Sequence, residues 1–212
     1  MNLMTSKYLG GVGALLLFIG VIPWISTYGI LAFAGLIMVL AALYGLAGVY
    51  REQGIFNNAI LGTAIGIGGI VAIGVVVFFT LIDLLKAIIP GWNGDWTALQ
   101  NVNPADISAN ITFQAIQPFI TSFLIGLLLL FVIAIAVAFF FRRSFILAAN
   151  KTGTSLFATT GLLLLIGAIF TIILIGLLLI WIAILLLAVA FFTIRTQAPL
   201  PQQAPMQQTT TV

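Results

Sequence analysis

The sequence predicts an all-α, polytopic transmembrane helical bundle of six spans, and three observations carry that expectation. Charged side chains are scarce: seven Lys+Arg and four Asp+Glu in 212 residues, or 5%, against roughly a quarter in soluble domains. Hydrophobic residues make up 63% of the chain, and the mean hydropathy is +1.31. Uncharged runs of 43 residues separate Lys7 from Arg51 and Lys151 from Arg195. A water-soluble monomer of this size has too little interior to hide so much apolar side chain. The composition excludes a soluble enzyme, a disordered regulator and a nucleic-acid binder, because the +3 net charge reflects few acids rather than a basic patch. Cys and His are absent. That removes disulfides, thiolate catalysis, structural zinc and the usual haem or copper ligation, so no cofactor or metal is expected.

Each 43-residue run is too long for one span, since a single helix would reach about 65 Å, and suits two spans with a tight turn. The first hairpin is read as spans over about 9–22 and 30–50. Its turn is Pro23-Trp24-Ile25-Ser26-Thr27-Tyr28-Gly29, where Pro and Gly break the helix and Trp and Tyr favour the headgroup level. Lys7 before an apolar run resembles a signal peptide, but no small-x-small site precedes Pro23, so the segment is read as retained. The middle spans fall over about 58–85 and 119–141. The last hairpin comprises about 155–172 and 176–194, with an apolar turn near Ile173–Gly176. The alternative there is a single tilted helix over Gly161–Ile194 and five spans in all, which would have to lean beyond the usual range of up to about 40°.

With six spans, Lys7, Arg51, Arg142, Arg143, Lys151 and Arg195 share one side, and Lys86 lies on the other with Asp83, Asp95 and Asp106. The positive-inside rule then puts both termini in the cytoplasm. The segment 142–154 reads as a short basic inner loop that fixes topology and suits lipid headgroups. Residues 196–212 form an uncharged Pro/Gln-rich tail, too polar to bury a core and expected to be disordered.

The external loop, about 86–117, is rich in Gly, Pro, Asn and Asp. Asp106 or Ser108 is placed to cap a short helix running toward Gln114. Trp92 and Trp96, four apart, read as an interfacial anchor. Asp83 and Lys86, three apart at the outer end of the third span, read as a pair on one helix face at the interface. Asn110-Ile111-Thr112 is an N-glycosylation pattern on the outer side, although Asn150-Lys151-Thr152 matches the same pattern on the inner side.

The third span carries the most distinctive local pattern. Gly62 and Gly66 form one small-residue face, and Ala64, Gly68 and Ala72 form another. Either lets a second helix backbone approach closely, for packing within the bundle or contact with an oligomer partner. Threonines in the spans, among them Thr63, Thr80, Thr159, Thr160 and Thr171, can bond to carbonyls of their own helix and do not by themselves indicate a pore. No span carries a charge near its centre, which disfavours proton-coupled pumps, voltage sensors and intramembrane proteases.

Several segments resemble an archaeal membrane family catalogued as domain of unknown function 996. They are Leu9-Gly10-Gly11-Val12-Gly13-Ala14-Leu15-Leu16-Leu17, Leu43-Tyr44-Gly45-Leu46, Gly54-Ile55-Phe56-Asn57-Asn58-Ala59 and the run from Gly161 to Phe192. The resemblance extends over about Lys7 to Arg195, implies an archaeal multi-pass protein and supplies no activity. It directs attention to Phe56, Asn57 and Asn58, the two amides reading from the residues alone as caps of the third span's first turn.

Together these features predict a non-enzymatic integral membrane protein, a structural or accessory subunit acting through helix–helix association. Its expected partners are membrane lipid and a protein partner or second copy, with no nucleic acid. The alternative is a channel or transporter for a small neutral or apolar solute along a Thr/Gly-lined path. A lipid-modifying enzyme would need an acid–base pair or metal cluster, and Asp83, Asp95 and Asp106 are the only external carboxylates.

Overall fold

A computed structural model describes residues 1–22, 29–89, 92–97, 110–173 and 175–195. Six helices in it are long and apolar enough to cross a membrane. They are α1 (Leu3–Gly20), α2 (Ile30–Tyr50), α3 (Gly54–Ile88), α4 (Phe113–Thr152), α5 (Leu156–Phe170) and α6 (Ile175–Thr193). Each packs on its neighbour in the chain, and α1 closes against α6, making a ring. The tail over 196–212 and its terminal Thr-Thr-Thr-Val lie outside the described residues, as do Asp106 and Ser108. Thr112 occupies the N-cap of α4, its side chain accepting from the Ala115 N–H.

The last hairpin is two helices. Thr171–Ile173 forms a 3-10 turn after α5, and α6 returns so closely that a Cβ on Gly167 would meet the Gly176 carbonyl at 3.0 Å. The single long helix of the five-span alternative is therefore absent.

The segment 142–154 is not a loop. α4 runs on through Arg142 and Arg143 to Thr152, ending in a tight turn at Gly153, whose φ of 68° suits glycine. The reason is burial: Phe145, Ala148 and Ala149 on this last stretch are core residues. Their helical spacing continues the apolar stripe past the two arginines.

The core lies toward the end of the ring where the short turns after α2 and α4 sit. Its largest members are Phe145, Phe157 and Phe191, with Leu43, Leu46 and Ile55. The Phe145 and Phe157 ring centroids are 6.4 Å apart, and Phe157 meets Phe191 edge-on at 5.0 Å, which links α4, α5 and α6. Phe191 in turn lies over Gly10 of α1, where any side chain would collide with its ring. On the other side of α1, Gly13 and Gly35 let α1 and α2 touch backbone to backbone. A Cβ on Gly35 would meet the Gly13 carbonyl at 2.6 Å.

Length distinguishes the central hairpin. At about 1.5 Å per residue, the 35 residues of α3 and 40 of α4 reach about 52 and 60 Å, whereas the 21 of α2 reach about 31 Å. The distal part of this hairpin is apolar and exposed, as at Val76, Phe78, Phe79, Phe123 and Leu128. In lipid such a surface is ordinary; in water it would aggregate.

Candidate functional site

Three features of the ring carry chemical or binding potential: the small-residue faces of α3, the end bearing the basic residues, and a pair of apolar cavities.

The two faces of α3 have separate fates. Gly62, Gly66 and Gly69 point at α4: added Cβ atoms would meet Phe141 at 3.1 Å, Val137 at 3.4 Å and Ile133 at 2.7 Å. Gly62 and Gly66 are thus spent on packing inside the chain. Ala64, Gly68 and Ala72 are exposed, and nothing lies within 4 Å of a Cβ built on Gly68. One small-residue face is filled by α4 and the other is uncovered.

The motif Phe56-Asn57-Asn58 lies within the first turns of α3, because the helix begins at Gly54. Neither amide therefore occupies the N-cap, which is Gln53 and makes no side-chain cap bond. Asn58 instead donates from Nδ2 back to the Gly54 carbonyl at 2.6 Å. Phe56 stacks edge-on against Tyr44 of α2 at 5.2 Å, and the neighbouring Ile55 carbonyl accepts from Ser144 Oγ of α4 at 2.6 Å. The motif thus sits where α2, α3 and α4 meet.

Basic residues gather at this same end. Lys7 Nζ donates to the Ile194 carbonyl at 2.9 Å, joining α1 to the end of α6. Lys151 pairs with Glu52 at 3.2 Å, and Arg143 lies over the Phe139 ring at 5.5 Å. Arg195 borders a polar cleft of about 560 Å³ with Thr152, Thr154, Ser155 and Thr193. At the far end, Asp83 and Lys86 are both exposed on α3, and no ion pair joins them, Lys151–Glu52 being the pair found among the described residues.

In the described part of the loop between α3 and α4 the two tryptophans differ. Trp92 is buried and donates from Nε1 to the Asp95 carbonyl at 2.7 Å, whereas Trp96 is exposed with its ring 5.4 Å away. Thr97 donates to the Asp95 carboxylate from its hydroxyl (2.7 Å) and its backbone N–H (2.9 Å). Those bonds hold that carboxyl below its ordinary range. Asn110 is half-buried just before α4, and its carbonyl accepts from the Thr112 N–H at 2.8 Å.

Two apolar cavities, each partly open to the surface, lie among the helices. One, about 140 Å³, lies among α1, α2, α4, α5 and α6 and is bounded by Leu17, Val39, Phe141, Phe145, Thr160 and Ala183, among others. The second, about 270 Å³, lies among α3, α4, α5 and α6 and is bounded by Gly66, Ile70, Leu130, Ile133, Ala168 and Ile180, among others. Val137 and Leu164 line both, so the two are neighbours across these side chains.

Thr160 is the polar residue on the first cavity, and its hydroxyl differs from others in the helices. Thr63, Thr80, Thr121, Thr152, Thr171 and Thr193 each donate to the carbonyl four residues back at 2.7–3.0 Å. Thr159 does so at 3.4 Å. Thr160 is 1% exposed, and its Oγ1 has no hydrogen-bond partner. Leaving a buried hydroxyl unsatisfied costs about 1–3 kcal/mol. Composition and spacing placed Thr160 among ordinary span threonines; only the packing around it sets it apart.

Among the described residues, no group of three His, Cys, Asp or Glu is arranged to hold a metal ion. The family described as "Protein of unknown function (DUF996)" matches residues 31–185. The chain belongs to this family. It is also 26% identical over 194 residues to the uncharacterized protein MJ1644 of Methanocaldococcus jannaschii, covering 92% of this chain and 94% of that one. No solved structure matches the chain. The matched stretch runs from the second residue of α2 into α6 and takes in Phe56, Asn57, Asn58 and Thr160.

Proposed function

We propose that this family member is a non-enzymatic membrane protein, a structural or accessory subunit that works by helix–helix association through the uncovered face of α3. The observation that carries the reading is the contrast on that one helix. Gly62, Gly66 and Gly69 admit the side chains of α4, and Ala64, Gly68 and Ala72 offer a similarly small surface to the outside. In lipid no hydrophobic drive joins helices, so close backbone packing across small residues is a main source of association. The residue types support a non-enzymatic role: there is no Cys or His, and Asp and Glu total four. The clustering of Lys7, Arg51, Arg142, Arg143, Lys151 and Arg195 supports cytoplasmic termini by the positive-inside rule.

Native mass measurement after mild extraction tests the role. A complex heavier than the single 22.6 kDa chain is expected, with Gly68→Leu reducing it to one chain while the thermal transition of that chain stays in place. A lone chain from native membranes, or a complex indifferent to Gly68→Leu, would overturn the reading.

A further inference from the structure

We infer that the polar cleft between the α4–α5 turn and the end of α6 binds a phosphate group, carried by a lipid headgroup or by a small soluble molecule. The groups that hold it are the N–H groups of Ser155 and Leu156, the Thr154 hydroxyl and the Arg195 guanidinium, all from residues that line the cleft.

The turn itself creates the donors. α4 stops at Gly153, and α5 starts at Leu156. The first N–H groups of a helix find no carbonyl within it. Among the described residues, no bond takes up those of Ser155 and Leu156, and Ser155, the N-cap, makes no side-chain cap bond. Such a helix start favours an anion.

Thr154 supplies the second, independent observation. It is 7% exposed and borders the cleft. Its N–H donates to Thr152 Oγ1 at 3.3 Å, and its carbonyl accepts from the Phe157 N–H at 3.3 Å. Its hydroxyl has no partner among the described residues and, unlike that of Thr160, is not sealed off from its surroundings. The hydroxyls of Thr152 and Thr193 already donate to carbonyls of their own helices, at 2.8 and 2.7 Å. Thr154 is thus an enclosed donor whose partner must come from the cleft.

Charge and size select the ligand. α6 runs back beside α5, which brings Arg195 to the start of α5. Arg195 has no ion pair among the described residues, and no Asp or Glu among them lines the cleft. Glu52, at this end of the ring, is taken by Lys151, and the Ile194 carbonyl is taken by Lys7. A guanidinium fork matches phosphate oxygens. Phosphate presents oxygens in three directions, as donors from two helix ends require, whereas the two of a carboxylate share a plane. The volume of about 560 Å³ lies in the range of small-molecule sites and leaves room for the body that carries the phosphate.

The test uses the full chain in dodecyl maltoside, a detergent without phosphate. It is titrated with inorganic phosphate and, separately, with phosphatidic acid added to the micelles, and the amide signals of Ser155 and Leu156 are followed. At least one probe should shift both signals saturably. A response to phosphatidic acid alone assigns a lipid headgroup; a response to inorganic phosphate at equal or lower concentration assigns a soluble ligand. Affinity should fall roughly two- to tenfold in Thr154→Val, the range of one net hydrogen bond, and roughly tenfold or more in Arg195→Gln, where the donor is charged. Thr154→Val should keep the native thermal transition, because the hydroxyl it loses has no partner in the protein. Should that variant fail to fold, Arg195→Gln, altered at an exposed residue, carries the test. Lys86→Gln, at the far end of α3, should bind as the native chain does. No saturable shift with either probe, undiminished binding in Arg195→Gln, or an equal loss in Lys86→Gln would each overturn the assignment. None of these outcomes depends on whether the chain associates through α3.

Discussion

Ser144 of α4 donates its hydroxyl to the backbone carbonyl of Ile55 in the first turn of α3, at 2.6 Å and fully buried. The bond joins residues 89 apart in sequence, close to where Phe56 meets Tyr44 and Lys151 meets Glu52. Measured interhelical hydrogen bonds of this kind average about 0.6 kcal/mol with a maximum near 1.7, because the polar group finds other partners when the helices separate. Ser144→Ala should therefore lower stability by about 0.6–1.7 kcal/mol, read as a reduced denaturation midpoint in detergent. A variant as stable as the native chain would show that the bond adds nothing to the junction.

The glycines sort by what lies over them, and stability measurements should reproduce that order. A Cβ on Gly35 would strike the Gly13 carbonyl and the Leu17 N–H, both at 2.6 Å and both backbone. Neither can move without separating α1 from α2. Gly35→Ala should destabilise by about 1–3 kcal/mol or more. At Gly48, on the same helix, nothing lies within 4 Å, and Gly48→Ala should be neutral or stabilise by up to about 1 kcal/mol. Equal effects at the two positions would contradict the α1–α2 contact.

The apolar turn between α5 and α6 predicts an accessibility pattern. Ile172, Ile173 and Ile175 are all more than half exposed. Gly161 of α5 packs against Arg142 of α4. From that level Ile172 is 11 residues along, about 16 Å, whereas Phe119 lies 23 residues back along α4, about 34 Å. The turn thus ends about half-way up the long hairpin, inside the hydrocarbon if Arg142 marks its inner edge. Cysteine at position 172, in a chain with no native Cys, should resist impermeant thiol reagents from both sides. Cysteine at position 93 should react from one side. Ready labelling at 172 would place that turn in water.

Much of this architecture was legible in the residues because hydropathy and charge are local properties. Absence of charge over 43 residues dictates helices that fold back, and the small residues of α3 announce tight packing wherever they end up. The C-terminal end of α4 misled for a definite reason. Arg142 and Arg143 mark the end of an apolar run, yet Phe145, Ala148 and Ala149 continue the helical stripe beyond them, and that periodicity was the available signal. The amides of Asn57 and Asn58 suggested a helix start, but Gly54, three residues earlier, already begins it.

The sequence by itself determined the class of the molecule, its hairpins and the gathering of all its cations but Lys86 at one end, since each follows from the cost of placing a residue type in oil. Only the tertiary structure decided which α3 glycines are consumed by α4, which face stays bare, and that Thr160, unlike the back-bonding threonines of the described helices, is buried without a partner. Those outcomes depend on what the ring of six helices brings opposite each residue, and a partner across the bundle leaves no mark on the local pattern.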